Sequence, residues 1–358
     1  MITKAFYEFL EVVATERHLE ISDVQKAVEV ALIKACQLHG AQGEVVIEFN
    51  DEQKKIRMYN IFHVVDEIDP EGIDGQITLE QAKEIRARVR VGSEIKTEIS
   101  FSDLGRKPVA RFKQIFNQNL KELGNKRAYE YFKERESEMV NATVIGRNER
   151  SIKLNIGLGV YTFIPLEETL PGENYREGDV ISVCITKVEE TGKGPKVFVS
   201  RNNKELIKRL FEMCIPEIAS GVVEIMALAR EPGSRTKIGI KSNNPNVDAK
   251  GACVGSNAER IKKINAALNG ERIDIFEWKE NPIQLIAEAL TPAKVISVLV
   301  NEEEKRSVVI VPDQQFSLAI GKGGQNARLA SQTTGWKIDI KDETTAYREE
   351  IKFKPNVY

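Results

Sequence analysis

Apolar positions at helical spacing come first along the chain and give way to alternating positions towards its middle. The front pattern predicts one helix within residues 3–17 and a second from Ser22 to Gly40. Ser22 and Gln25 have the spacing of a capping box, and Gly40 supplies a helix stop. A hairpin, a short helix and a further strand are then predicted at 45–49 and 56–65, 78–87 and 94–101.

A long amphipathic segment follows. Its apolar stripe predicts a helix from about residue 109, with Pro108 in the first turn, where a missing N–H costs nothing. We expect an interruption near Gly124. The first turns are basic, and this face is either only solvated or a partner contact; its cations are Arg106, Lys107, Arg111 and Lys113.

Five short alternating segments make up the middle of the chain. They predict a small five-stranded β-barrel of the OB type, with strands at 140–147, 151–156, 160–165, 180–188 and 197–200. Tyr161 and Phe163 alternate onto one face, where they either stack on bases or fill the barrel interior, and Tyr161 is the better stacking candidate. Arg147, Lys153 and Arg201 are candidate phosphate contacts.

The back half contains an internal repeat with a period of about 65 residues. Both copies predict the order helix, strand, strand, helix, loop, helix, strand. The first copy has its opening elements at 205–214, 222–230 and 236–241, and the second has them at 282–290, 294–301 and 307–311. A sheet covered by helices on one face is the expected α+β solution.

The loop of the second copy is Ile320-Gly321-Lys322-Gly323-Gly324-Gln325-Asn326. Its glycines let another backbone approach closely, and the helix that follows offers amides and a dipole to a phosphate. This is the G-x-x-G pattern of KH domains, which clamps single-stranded nucleic acid, and Arg328 lies one turn into the helix. A simple Gly-rich turn is the alternative, whereas a nucleotide P-loop needs Ser or Thr where Gly323 stands.

The matching loop of the first copy departs from this pattern. It runs Gly255-Ser256-Asn257-Ala258, with Arg260 beyond it, so a glycine and a positive charge are missing. We therefore expect it to grip a nucleic-acid backbone more weakly than the second loop. Arg230, Arg235 and Lys237 in the preceding turn either extend a basic surface or belong to a solvated turn.

Composition excludes several classes of protein. The 358 residues are 41% hydrophobic and 30% charged, with no apolar run of membrane-spanning length and no signal-peptide layout at the N-terminus. Four scattered cysteines and three distant histidines predict neither a zinc site nor a disulfide framework, and favour a reducing cytoplasm.

The charge is unevenly distributed. Residues 1–102 carry a net charge of −7 and the remainder +5, within a total of −2. An acidic front and a basic back suggest two kinds of partner, although ordinary solvated surface gives the same imbalance.

Several segments resemble the NusA family of bacterial transcription elongation and termination factors, and the similarity spans nearly the whole chain. The KH segments are the most specific. The segments that carry the resemblance are 200–201, 216–218, 230–237, 251–255, 271–275 with Trp278, and 319–330.

The resemblance implies a multidomain α+β protein. Its parts would be an α/β module with a connecting helix (1–136), an OB-type barrel (137–201), two tandem KH domains of the αββααβ kind (202–279 and 280–345) and a short tail (346–358). The front module would bind RNA polymerase, and the barrel and KH pair would form one RNA-binding surface. The protein would be a cytoplasmic monomer that modulates pausing, termination and antitermination together with other elongation and antitermination factors. No catalytic residue, cofactor or metal is implied.

Three departures from the family pattern qualify these expectations. The first KH loop has Asn257 and Ala258 where a basic residue and a glycine are usual. Pro108 intervenes where the family continues helical, which blurs the polymerase-contacting helix. The sequence stops at Tyr358, so we expect no acidic C-terminal repeats and no autoinhibitory tail.

Two other functions use similar modules. A translation or ribosome-maturation factor would bind RNA through the same domains and sediment with ribosomal subunits. A ribonucleolytic or phosphorolytic enzyme would need a catalytic front module, and that segment shows neither clustered metal-binding carboxylates nor a Ser/His/Asp arrangement.

Overall fold

The computed structural model describes residues 4–69 and 75–357. The described residues form two compact units: those up to Tyr131 together with Glu190–Pro195, and Phe132–Glu189 together with those from Lys196 onward.

The first unit packs helices against a small sheet. Its elements are α1 (Lys4–Glu16), α2 (Ile21–His39), β1 (Glu44–Asn50), β2 (Lys55–Val65), β3 (Gln76–Thr78), α3 (Leu79–Ile85), β4 (Glu94–Ile99) and α4 (Arg106–Lys133). The long strand β2 pairs with all three others, antiparallel to β1 and β4 and parallel to β3. Leu32, Met58 and Phe116 lie in one buried cluster, which joins α2, β2 and α4.

Two details of this unit correct the sequence predictions. The capping box at Ser22 is wrong, because α2 begins at Ile21 after Glu20 with no side-chain cap, and Gln25 instead donates to the Tyr7 hydroxyl at 2.8 Å. The interruption at Gly124 is also wrong, since α4 continues through it. One glycine destabilises a helix by only about 1 kcal/mol, and packing of the apolar residues of α4 is enough to keep the helix continuous through Gly124. The predicted stop at Gly40 is confirmed, with a left-handed φ of 107°.

The barrel follows α4 in the chain. Its strands are β5 (Met139–Arg147), β6 (Ser151–Asn155), β7 (Tyr161–Pro165), β8 (Val180–Glu189) and β9 (Lys196–Ser200). They are ordered β7-β6-β5-β8-β9, and the Thr162 hydroxyl of β7 donates to the Val197 carbonyl of β9. This contact joins the two edges of the sheet, so the five strands form a nearly closed barrel, as predicted.

Both repeat copies fold as predicted. The first contains α5 (Lys204–Cys214), α6 (Pro216–Ala219), β10 (Val223–Glu231), β11 (Arg235–Ser242), α7 (Ala249–Val254), α8 (Glu259–Ala267) and β12 (Arg272–Glu277). The second contains α9 (Pro282–Ala289), β13 (Ser297–Asn301), β14 (Arg306–Val311), α10 (Phe316–Ile320), α11 (Gln325–Thr334) and β15 (Lys337–Asp342). In each copy the first two strands form an antiparallel hairpin, and the third strand pairs in parallel with the second.

The segment predicted to be a tail is partly structured. Helix α12 (Glu343–Arg348) runs across its start, and Asn356 exchanges hydrogen bonds with the backbone of Val298 at 2.9 Å. This end of the chain therefore lies beside β13.

Apolar clusters cross the borders between the modules of the second unit. Leu170 and Cys184 of the barrel segment share a core with Leu206 and Phe211 of the first copy. Phe276 on β12 is fully buried in the core of the second copy. Burial of this kind is the main stabilising term in folding, so it ties barrel, first copy and second copy into one unit.

Candidate nucleic-acid interface

The second G-x-x-G loop is a tight turn with an open outer face. Gly321, Gly323 and Gly324 all have positive φ, at 76°, 60° and 75°. A Cβ at Gly321 would lie 2.8 Å from the backbone nitrogen of Asn326, so packing there demands glycine. A Cβ at Gly323 or Gly324 would meet nothing within 4 Å, which leaves the outer side of the loop clear for another backbone.

The start of α11 supplies donors to this face. Its N-cap is Gly324, and no side chain caps the first-turn amides. The Gln325 amide donates to the Lys322 carbonyl, so the helix dipole and the amides that follow are what favour an anion at this point, and the exposed Lys322 adds a full positive charge. The combination is suited to a phosphate group.

Asn326 belongs to the support of the loop rather than to its surface. It is fully buried, and its amide donates to the carbonyls of Leu290 and Ala319, each at 3.0 Å. The prediction that its side chain contacts RNA is therefore wrong. Ile320, at the end of α10, is half-buried.

The first loop has the same backbone shape with different residues. Gly255 has φ 72° and ψ 173°, against 76° and 169° at Gly321. Asn257 and Ala258 take left-handed φ values of 52° and 59°, where the second loop has glycines. Asparagine tolerates such values but alanine does not, so at Ala258 the fold imposes this turn against local preference.

The polar groups of the first loop offer less to an anion. Ser256 and Asn257 are exposed and uncharged. Arg260 is held by the Glu217 carboxylate at 2.7 Å and by the Ala252 carbonyl at 2.6 Å. The arginine beside this loop therefore already has partners.

The barrel presents two aromatic rings on one strand face. Tyr161 is 56% exposed and Phe163 55%, while the alternate residues Thr162 and Ile164 are buried. Lys153 pairs with Phe163 across β6 and β7, and its ammonium group lies 5.2 Å from the centre of the Tyr161 ring. The alternative in which these aromatics fill the barrel is wrong, and Phe163 joins Tyr161 as a stacking candidate.

Arg147 is exposed at the end of β5. It lines a groove of about 510 Å³ together with Tyr175, Asn202 and Pro232. It therefore lies on the same side as the turn between β10 and β11.

Comparison with known proteins identifies the modules. Three family models match this chain: the NusA N-terminal domain at residues 5–126, the NusA-like first KH domain at 201–278 and the NusA-like second KH domain at 282–348. The transcription termination/antitermination protein NusA of Bacillus subtilis is 41% identical over 94% of this chain and 90% of its own length. The chain belongs to the NusA family. The NusA protein of Thermus thermophilus is 35% identical over 95% of this chain and 90% of its own length.

The NusA-type first KH domain turns two of its predicted contact residues inward. Arg230 is almost fully buried and pairs with Glu271 at 2.9 Å, while donating to the carbonyls of Arg201 and Asn203 at 2.8 Å. Arg201 is equally buried, pairs with Glu173, and donates to the Ala267 carbonyl at 2.9 Å. Both arginines join the barrel to the first KH domain, which corrects the prediction that they contact phosphate.

Lys237 and Arg235 share one carboxylate. Lys237 is fully buried, 3.4 Å from Asp274 and 2.9 Å from the Thr291 carbonyl, and burial lowers its pKa to about 8. Arg235 donates to Asp274 at 2.7 Å and keeps only 13% of its side chain exposed. Neither extends a basic surface, because the surrounding carboxylate and carbonyl groups already hold them.

Arg328 lies half-exposed beside the second loop. Its side chain is 51% exposed, and it donates to the Gly323 carbonyl at 3.2 Å and to Glu231 at 2.8 and 2.6 Å. Gln325 donates to the same carboxylate at 2.7 Å and to the Ser234 hydroxyl at 2.8 Å. The sequence analysis considered only the cations of the 230–237 turn and did not identify Glu231 as a partner of the second loop.

The basic start of α4 lies in the NusA N-terminal domain. Arg106, Lys107, Arg111 and Lys113 are all exposed. Arg111 donates to Gln114 at 3.1 Å, and none of the four forms an ion pair with a carboxylate among the residues that the structure describes. Pro108 lies in the first helical turn, as predicted, so it does not break the helix.

Two kinds of feature are absent from the described part of the chain. Within it, no cluster of three or more His, Cys, Asp or Glu side chains has the geometry to hold a metal ion. Across residues 4–69 and 75–357, no helix combines the length and apolar character needed to span a bilayer.

Proposed function

We propose that this RNA-binding transcription regulator of the NusA family holds unpaired nascent RNA chiefly through its second KH loop, while its N-terminal module binds RNA polymerase. It acts by binding rather than catalysis, as a monomer in the cytoplasm, and modulates pausing, termination and antitermination. Other elongation and antitermination factors are its further partners.

The second loop is the observation that carries this proposal. Gly323 and Gly324 leave an open approach to the uncapped amides of α11, and Lys322 lies exposed at the tip. A phosphate in that position would gain amide hydrogen bonds, the helix dipole and one full charge. Single-stranded RNA is the ligand for which KH loops of this form are suited.

The barrel adds a second, weaker contact. Tyr161 and Phe163 offer exposed rings for base stacking, and Lys153 lies beside them for a phosphate. Arg147, which lines the groove at the end of β5, would contact a further phosphate. Modest contacts joined on one chain bind more tightly than each contact alone, because the later ones form at high effective concentration.

The polymerase contact is assigned to the first turns of α4. Four exposed cations there, free of ion pairs with described carboxylates, form a basic site within an otherwise acidic module: Arg106, Lys107, Arg111 and Lys113. Unpaired surface charge of this kind steers association with an oppositely charged partner.

A comparison of the two loops tests the RNA proposal. Lys322→Asp with Gly323→Asp should lower affinity for an unpaired oligoribonucleotide by at least about tenfold, because it replaces attraction by repulsion at the phosphate position. The matched double change Ser256→Asp with Asn257→Asp in the first loop should lower RNA affinity by a smaller factor. Anisotropy titrations of the full chain measure both, and equal losses would refute the ranking.

A degradation assay separates binding from catalysis. Labelled RNA incubated with the full chain and magnesium should stay intact. Clean degradation would favour an RNA-degrading enzyme over the proposed regulator.

A further inference from the structure

Glu231 of the first KH domain reaches across to the loop of the second. It lies at the end of β10, where the hairpin turns towards β11, and its carboxylate accepts from Arg328 Nε at 2.8 Å and Nη2 at 2.6 Å. The same carboxylate accepts from Gln325 Nε2 at 2.7 Å. Arg328 and Gln325 both lie on the first turns of α11, directly after Gly324.

These donors face the place where a phosphate would bind. Gln325 is the first residue of α11, and Arg328 also donates to the carbonyl of Gly323, within the loop itself. An arginine in this position can reach a phosphate at the loop, since its planar fork suits phosphate and carboxylate oxygens alike. In the free protein the fork is occupied by Glu231 instead.

The carboxylate is ionised and remains near solvent. Burial alone would raise the pKa of Glu231, but the hydrogen bonds from Gln325 and Arg328 outweigh it and lower that pKa. Its side chain is 31% exposed, and that of Arg328 is 51% exposed. An ion pair so open to water is weak enough for a competing anion to displace.

We propose that Glu231 limits the RNA affinity of the second KH loop, by holding in the free protein the Arg328 and Gln325 donors that a phosphate at the loop would otherwise take. This inference rests on the proposed RNA-binding role of that loop. A phosphate must displace the carboxylate from the donors, and the displaced charge stays nearby and repels it. Glu231 therefore acts as an internal anion that sets the affinity of the site.

The same contact permits an opposite interpretation, in which Glu231 positions Arg328 for RNA. The two differ in sign. A positioning residue strengthens binding, so its loss weakens affinity, whereas loss of a competitor strengthens affinity and frees one more cation for a phosphate.

The test is Glu231→Gln in the full chain, titrated with a short unstructured oligoribonucleotide at several salt concentrations. We expect about fivefold tighter binding than wild type, the scale set by exposed ion pairs. The slope of log affinity against log salt should steepen by about 0.7, because the charge of Arg328 at the phosphate is then no longer offset by a nearby carboxylate. Unchanged or weaker binding would overturn the inference.

A matched control removes the same charge from the same strand. Glu224 is exposed at the other end of β10, and Glu224→Gln should leave RNA affinity close to wild type. If Glu224→Gln tightens binding as much as Glu231→Gln, the effect is general electrostatics and the inference fails.

A double-mutant cycle identifies the donor. In an Arg328→Gln background, Glu231→Gln should retain much less of its effect, since its main partner is gone. A full effect in that background would contradict the proposed competition. Thermal unfolding of each variant verifies that the chain is folded. If either single change disturbs the fold, the double variant Arg328→Gln with Glu231→Gln serves instead, because it leaves neither charge without its partner.

The loop variant distinguishes this failure from that of the proposed function. If Lys322→Asp with Gly323→Asp leaves RNA affinity unchanged, the loop does not bind RNA and the proposed function fails. If that variant loses binding while Glu231→Gln matches wild type, only the role of Glu231 fails.

Discussion

At the scale of single residues, the two KH loops show that the same backbone turn can form with different side chains. The left-handed turn forms at Asn257 and Ala258 as it does at Gly323 and Gly324. The surrounding helices therefore dictate the turn, and the residues in it decide the strain and the room left for a ligand.

Ala258→Gly should relieve strain in the first loop. An alanine in the left-handed region costs about 1–2 kcal/mol of stability, which glycine would avoid. Glycine also makes the unfolded chain more flexible, and this offsets the gain by about 0.4–1 kcal/mol. We expect the free energy of unfolding to rise by about 0.5–1 kcal/mol. RNA affinity should rise with it, because removal of the Cβ opens the approach.

Urea unfolding and RNA titration measure these two effects. Ala252→Gly, within α7, is the matched control and should destabilise, since its backbone is helical. A fall in stability with Ala258→Gly would contradict the strain argument.

Sequence alone predicted the loops but not the partners of the nearby cations. The glycine spacing and the repeat were visible as local patterns. The pairing of Arg230 with Glu271 joins residues 41 apart in the chain, and that of Arg328 with Glu231 joins residues 97 apart. Such long-range contacts decide whether a charge is buried, which no local pattern records.

At the scale of elements, apolar periodicity predicted the helices and strands well, and end signals predicted their bounds less well. The stripe of α4 continued through Gly124, where a single residue suggested a break. Ser22 has the cap spacing but lies inside α2, and Gln25 takes tertiary partners instead. Packing outweighs a local signal worth about 1 kcal/mol.

Strand β11 places a lysine at the border between the KH domains, with a consequence for stability. Lys237 is fully buried, and burial lowers its pKa to about 8 in the folded chain. The unfolded chain, with a pKa near 10.4, binds this proton more tightly. Stability from this group is therefore complete only above the unfolded pKa, and is lost as pH falls through the folded one.

We expect wild type to gain about 2 kcal/mol of unfolding free energy relative to Lys237→Met between about pH 7.5 and about pH 10. Urea unfolding of both chains under reducing conditions gives this difference, and titrations shared by the two chains cancel. A difference that stays flat or falls with pH would show that Lys237 titrates normally.

At the scale of the whole molecule, the chain joins an acidic N-terminal module to a unit in which barrel and KH domains share apolar cores. The shared cores give the proposed RNA contacts of that unit a fixed arrangement, which would let modest contacts act together. The proposed polymerase contact of the N-terminal module brings this unit to nascent RNA.

The lifetime of a transcriptional pause tests the proposed function most directly. Purified RNA polymerase is halted at a defined pause site, and its escape is timed with no added factor, with the full wild-type chain, and with the Lys322→Asp, Gly323→Asp variant. We predict that wild type changes the pause lifetime, and that the variant needs at least about tenfold more protein for the same effect. A wild-type chain that leaves pause lifetimes unchanged, or a variant that acts as well as wild type, would contradict the proposed function.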